Sequence, residues 1–124
     1  MKGKRTMSGK KINITNVEFQ PATGRQIAEI ASAAVSGAKT VTCRIVEIFP
    51  EGQVGPRAPH SHDIEEVIYV IDGQGRVWLE GEEIEFAAGE LVVIPIGSKH
   101  RIINPGINKL TLLCVFPAAN VEIP

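Results

Sequence analysis

Short apolar runs, rich in β-branched residues and closed by glycine, proline, asparagine or aspartate, recur along most of this chain. Runs of this kind predict β-strands separated by tight turns. The predicted strands are Ile14 to Phe19, Thr40 to Phe49, His60 to Ile71, Arg76 to Leu79, Glu83 to Phe86, Leu91 to Ile94, Lys99 to Asn104 and Leu110 to Phe116. Turn signals fall between them at Pro50-Glu51-Gly52, Asp72-Gly73, Glu80-Gly81, Ala88-Gly89, Gly97-Ser98 and Pro105-Gly106. Gln26 to Ala34 reads equally as a short helix or a strand. No heptad or repeat appears, so the pattern predicts an all-β sandwich or barrel. One strand stands apart: Val41, Cys43, Ile45 and Phe49 alternate with Thr42, Arg44, Val46 and Ile48, leaving it apolar on both faces. Either a second subunit or the N-terminal strand is expected to cover it.

Composition narrows the class without adding chemistry. The 124 residues, 44% hydrophobic and 22% charged, suffice for one core and leave no room for a second ordinary domain. A formal charge of -1 gives no reason to expect a nucleic-acid partner. Residues 1–11, polar and basic, read as a flexible N-terminal arm in which Met7 is an alternative start, and residues 12–124 as the folded domain. No apolar stretch follows the arm to make a secretory signal or a membrane span, so a cytoplasmic protein with no membrane partner is expected. Cys43 and Cys114 lie in separate apolar runs and are expected as free, buried thiols.

The chemistry is concentrated in two spaced patterns. The first runs Gly55, His60, His62, Glu66, Gly73; the second runs Gly89, Pro95, Gly97, His100, Asn104. These are the only histidines of the chain. Imidazole nitrogens and a carboxylate oxygen are ordinary donors to first-row transition metals. On a helix His60 and His62 would point about 200° apart and could not share an ion. On a strand, His60, His62 and Glu66 have the same parity and fall on one face, and an antiparallel neighbour could bring His100 alongside. Each histidine alone is more often a satisfied polar residue than a ligand. Taken together, with Glu66 placed in an apolar run where an unpaired charge is costly, the set reads as one metal site.

Both patterns resemble the paired motifs of the cupins, small jelly-roll β-barrels also described as double-stranded β-helices. The second pattern matches the family's at Gly89, Pro95, Gly97, His100 and Asn104; the first matches at His60, His62, Glu66 and Gly73. Gly55 lies one residue closer to His60 than the family pattern has it, which alters the preceding loop and not the donors. The resemblance spans about residues 55–73 and 89–104 and implies a single cupin β-barrel over residues 12–124. It further implies a homodimer, and one divalent transition metal ion per chain held by His60, His62, Glu66 and His100.

Manganese, iron, nickel, cobalt, copper and zinc all accept this donor set. Three imidazoles and one carboxylate leave about two positions open on a six-coordinate ion. A metal-dependent enzyme acting on a small carboxylated or oxygen-rich metabolite follows, of oxygenase, decarboxylase or isomerase type. The alternative is a non-catalytic module that senses a small molecule or metal. Arg44, on the face of Val46 and Ile48, and Arg57, just before His60, are the candidates for holding an anionic substrate, weighed against plain solvent-facing arginines. Tyr69 has the parity to point away from Glu66. Asn104, before Pro105, suits turn capping as well as ligand binding. No residue was identified as the acid or base.

Overall fold

The computed structural model describes residues 9–124, so the expected arm over residues 1–11 lies almost wholly outside the described residues. Nine strands make two antiparallel sheets. They are β1 (Gln20–Ala22), β2 (Arg25–Ala31), β3 (Thr42–Ile48), β4 (Glu66–Asp72), β5 (Gln74–Leu79), β6 (Glu82–Ala87), β7 (Leu91–Ile94), β8 (His100–Ile103) and β9 (Leu110–Phe116). The larger sheet runs β1-β2-β3-β9-β4-β7 and the smaller β6-β5-β8, the two-sheet arrangement of a jelly-roll barrel.

Alternation along each strand builds the interior. In β9 Leu110, Leu112, Cys114 and Phe116 are buried, and in β4 Glu66, Ile68 and Val70 are. Cross-strand register stacks these rows, with Val46 opposite Leu112 and Ile68 opposite Cys114. Val77 and Phe86 close the core from the smaller sheet. Each such aliphatic side chain contributes about 1.5–3 kcal/mol of hydrophobic stabilisation. Gly75 lets the sheets meet, because a Cβ there would stand 2.6 Å from the Ile103 carbonyl oxygen. The β5–β6 hairpin turns on Glu80 and Gly81, both at positive φ, as a two-residue turn requires.

The doubly apolar strand is β3, and no second subunit is needed to bury it. On its outward face Ile45 is 4% exposed, between cross-strand neighbours Ala28 and Leu113. Glu47 accepts from Gln26 Nε2 at 2.6 Å and pairs with Lys109 at 2.9 Å.

Three local expectations change. Ile14 to Phe19 is not a strand: Ile14–Asn16 is a 3-10 turn, because Asn13 Oδ1 accepts from Thr15 N at 3.0 Å and caps it. The ambiguous Gln26 to Ala34 divides into β2 and a helical turn, α1 (Ala33–Ser36), capped by Ser32. The strand expected from His60 to Ile71 starts only at Glu66. Before it lie a helical turn, α2 (Glu51–Val54), and a loop holding Pro56 and Pro59, which lack the N–H a ladder needs.

Candidate metal centre

That late start decides how the donors converge. His60 forms an isolated bridge to His100, with His60 N to His100 O at 2.9 Å and His100 N to His60 O at 2.8 Å. It thereby extends the smaller sheet, whereas Glu66 opens β4 of the larger one, opposite Ile94. The loop from His60 to Glu66 crosses the mouth of the sandwich, with His62 in the crossing. The donors meet, as the spacing predicted, but from two sheets and a loop instead of one strand face.

One nitrogen from each of His60, His62 and His100 can be chosen so that all lie within 4.8 Å of one another. This cluster could hold a metal ion. Glu66 Oε1 stands 3.2 Å from His100 Nε2 and 3.5 Å from His62 Nε2. Adjacent donors at right angles, each about 2.1 Å from one ion, would be separated by about 3.0 Å.

Hydrogen-bond bookkeeping sharpens the fit. His100 Nδ1 lies 2.9 Å from the Ser98 carbonyl oxygen, which can only accept, so Nδ1 carries the proton. A neutral His100 then turns the Nε2 lone pair toward the Glu66 carboxylate. Glu66 Oε1 and His100 Nε2 are both buried with no hydrogen-bond partner. Two facing lone pairs need a cation between them, either a proton on the imidazole or a metal ion. The orphaned pair is what a first-row metal would satisfy.

The surroundings are apolar and cationic. Ile48, Ile68, Leu112 and Phe116 line a cavity of about 50 Å3 beside the donors, and Phe116 meets the His62 ring edge-on at 5.2 Å. Burial works against the Glu66 carboxylate, but hydrogen bonds and charge from His100 and His62 outweigh it and bring its pKa down to about 2. Burial, then the neighbouring His100, Arg57 and His62, lowers His60 to about 3. Burial and the Glu66 charge push the Cys114 thiol upward. Cys43 and Cys114 are both free; Arg44, not Cys43, lies opposite Cys114, so the two thiols have opposite parity.

Both candidate arginines line the cavity. Arg44 is committed: Nε pairs with Glu29 at 3.0 Å, Nη2 donates to the Val121 carbonyl, and the guanidinium sits 5.2 Å from the Phe116 ring centroid. Arg57 Nη2 lies 3.0 Å from His60 Nδ1. Arg25, which the sequence reading passed over, is a third arginine of the wall and is 5% exposed. Its signal was the parity it shares with Ile27 on β2. Tyr69 points outward, 37% exposed. Asn104 is structural: Nδ2 donates to the carbonyls of Ile48 at 2.9 Å and Asn108 at 2.8 Å, and Oδ1 accepts from Gly106 N at 3.1 Å. No helix among the described residues is long and apolar enough to cross a membrane.

The profile of the Cupin domain family matches residues 45–116. An uncharacterised protein of Methanocaldococcus jannaschii, MJ1618, is 36% identical over 56 residues, covering 44% of this chain and 45% of that protein. The structure of the Lactobacillus farciminis oxalate decarboxylase formate complex superposes with a TM-score of 0.75 at 28% identity, over 88% of this chain but 33% of that one. The polyketide cyclase RemF of Streptomyces resistomycificus gives 0.77 at 23% identity, over 94% of this chain and 88% of that one. The chain thus spans less than half of the first two proteins and most of the third. Matched across the strands that carry all four donors, and folded as two facing antiparallel sheets, this chain belongs to the cupin family.

Proposed function

We propose that His60, His62, Glu66 and His100 hold one divalent transition metal ion, and that the protein is a metal-dependent enzyme acting on a small carboxylated or oxygen-rich metabolite. The observation that carries this reading is the orphaned pair, Glu66 Oε1 and His100 Nε2, facing each other at 3.2 Å in a buried pocket. Bound there, such an ion would supply Lewis acidity toward a carboxylate or enolate oxygen, or a place for dioxygen. The chain's own residues do the rest. Ile48, Ile68, Leu112 and Phe116 exclude water from the cavity. Ser98 fixes the His100 tautomer. Arg57, beside the donors, supplies the charge for a carboxylate. The 28% identity to an oxalate decarboxylase solved with formate supports a carboxylated substrate. Manganese, iron, cobalt, nickel, copper and zinc all suit the donor set.

A second reading has its own support. Beyond the four donors the ionisable groups of the cavity wall are arginines and the Cys114 thiol, whose pKa is raised, so no acid or base stands ready. A binding or sensing module needs none. Turnover decides between them: protein loaded with each metal is assayed against a panel of small carboxylates, oxo acids and diphenols. Conversion by one metal form supports the enzyme. Stoichiometric metal with ligand binding and no conversion supports the module.

For partners, a homodimer through the outer face of the larger sheet is supported by Tyr69, Leu91 and Val93, which stand 37%, 53% and 49% exposed on paired strands β4 and β7. Two free thiols accord with a cytoplasmic setting.

A further inference from the structure

Three guanidinium groups, of Arg25, Arg44 and Arg57, line the cavity against the single carboxylate of Glu66. Glu29 neutralises Arg44, and a metal ion would claim Glu66. Arg25 and Arg57 then have no carboxylate of their own among the described residues. Arg25 donates only to backbone oxygens, from Nη1 to Thr23 at 3.0 Å and from Nη2 to Pro124 at 3.2 Å. Carbonyl oxygens orient a guanidinium without cancelling its charge, so a buried cation remains to be matched. Arg57 runs beside it, since a Cβ on Gly24 would meet Arg57 Cδ at 3.6 Å.

Arg57 cannot stay where it is once His60 becomes a ligand. A guanidinium only donates, so at 3.0 Å His60 Nδ1 presents its lone pair to Arg57 Nη2. If Nδ1 took the metal, that lone pair would be used. If Nε2 took it, the neutral ring would carry its proton on Nδ1, and donor would face donor. Either geometry releases Arg57.

We propose that Arg25 and Arg57 form an anion-binding point beside the metal donors, opened when metal loading frees Arg57 from His60, and that it receives the second acidic group of a short diacid. The inference rests on the metal-centre reading and adds to it a substrate class and an order, metal first and acid second. A cavity of about 50 Å3 admits a ligand of only a few carbon atoms.

The test uses zinc as the metal, with malonate and acetate as diacid and monoacid probes. In the wild-type protein the arginine Nε–H signals are followed by NMR: zinc should move Arg57, and malonate added afterwards should move both Arg25 and Arg57. Calorimetry on zinc-loaded protein should favour malonate over acetate by at least about tenfold, roughly 1.4 kcal/mol. In Arg25→Gln that preference should collapse to about threefold or less while zinc affinity stays within about threefold of wild type. Zinc that binds without moving Arg57, or malonate that leaves Arg25 unmoved, overturns the inference and leaves the metal reading standing. Failure of zinc to bind at all sinks both. If Arg25→Gln lowers thermal stability yet keeps the malonate preference, Arg25 is only an anchor for the segment ending at Pro124. If that variant does not fold, the wild-type NMR series alone decides.

Discussion

Replacing Glu66 by glutamine should move stability and metal affinity in opposite directions. In the metal-free protein above the ordinary imidazole range, at pH 8.5, the carboxylate oxygen faces the bare Nε2 of His100 at 3.2 Å with no donor between them. A buried acceptor left without a partner costs about 1–3 kcal/mol. The Glu66→Gln amide can turn its NH2 toward His100 Nε2 and supply the missing proton. Metal-free Glu66→Gln should therefore melt higher than wild type by about 3–10 °C at pH 8.5, given roughly 3–6 °C per kcal/mol for a chain of this size. The sign reverses in acid. When the imidazoles carry protons, their hydrogen bonds to Glu66 outweigh its burial and hold its pKa at about 2. That ionic contact is present at pH 5.5 and lost only as the pH falls through the folded value. At pH 5.5 the variant should lose its advantage. Zinc affinity should fall at any pH: four-donor sites bind with about 10–16 kcal/mol in all, so one anionic donor is worth about 3–4 kcal/mol, or roughly 10²–10³ in Kd. Thermal melts of chelator-stripped protein and zinc competition against a calibrated chelator measure the two effects. A variant that is less stable at pH 8.5 and binds zinc as wild type does would refute both the facing lone pairs and the ligand role of Glu66.

Other outcomes follow from the same geometry. His60, lowered to about 3 chiefly by burial, stays neutral when folded, whereas the unfolded imidazole titrates near 6.5, so stability of the metal-free protein should decline as pH drops from about 6.5 toward 3. Urea midpoints at pH 7.5, 5.5 and 4.5 should show that slope in wild type and a shallower one in His60→Asn; equal slopes would count against it. Asn104→Ala removes three hydrogen bonds at a position 1% exposed and should cost about 2–4 kcal/mol in urea unfolding while leaving zinc affinity unchanged. Leu91→Glu, on the outer face of β7, should convert a dimer to a monomer in sedimentation velocity; a wild-type monomer at 100 µM, a concentration of order 10-fold above a typical weak dimer Kd, would remove the proposed interface.

The strand-rich class was legible because alternation survives wherever one face of a strand is buried, as in Leu110 to Phe116. The donors were legible for a different reason. Their residue types are rare in apolar surroundings, and shared parity brought them together on paper. The path by which they meet was not legible, because parity assumes an unbroken strand and Pro56 and Pro59 interrupt the ladder before Glu66. Asn13 and Ser32 diverted two further segments into helical turns through side-chain caps, which a reading of apolar periodicity cannot see. Arg25 escaped for want of a decision on its neighbours. Once Gln26 to Ala34 is divided at Ser32, parity alone turns Arg25 inward with Ile27.

The crossing from His60 to Glu66 gives the barrel a rivet. Because His60 and His100 belong to one layer and Glu66 to the other, an ion gripped by all of them is held only while the two layers remain in register. Separating the halves would require letting the ion go. Resistance to opening would then grow with the logarithm of free metal concentration, and amide protons of β4 and β8 would exchange more slowly in its presence.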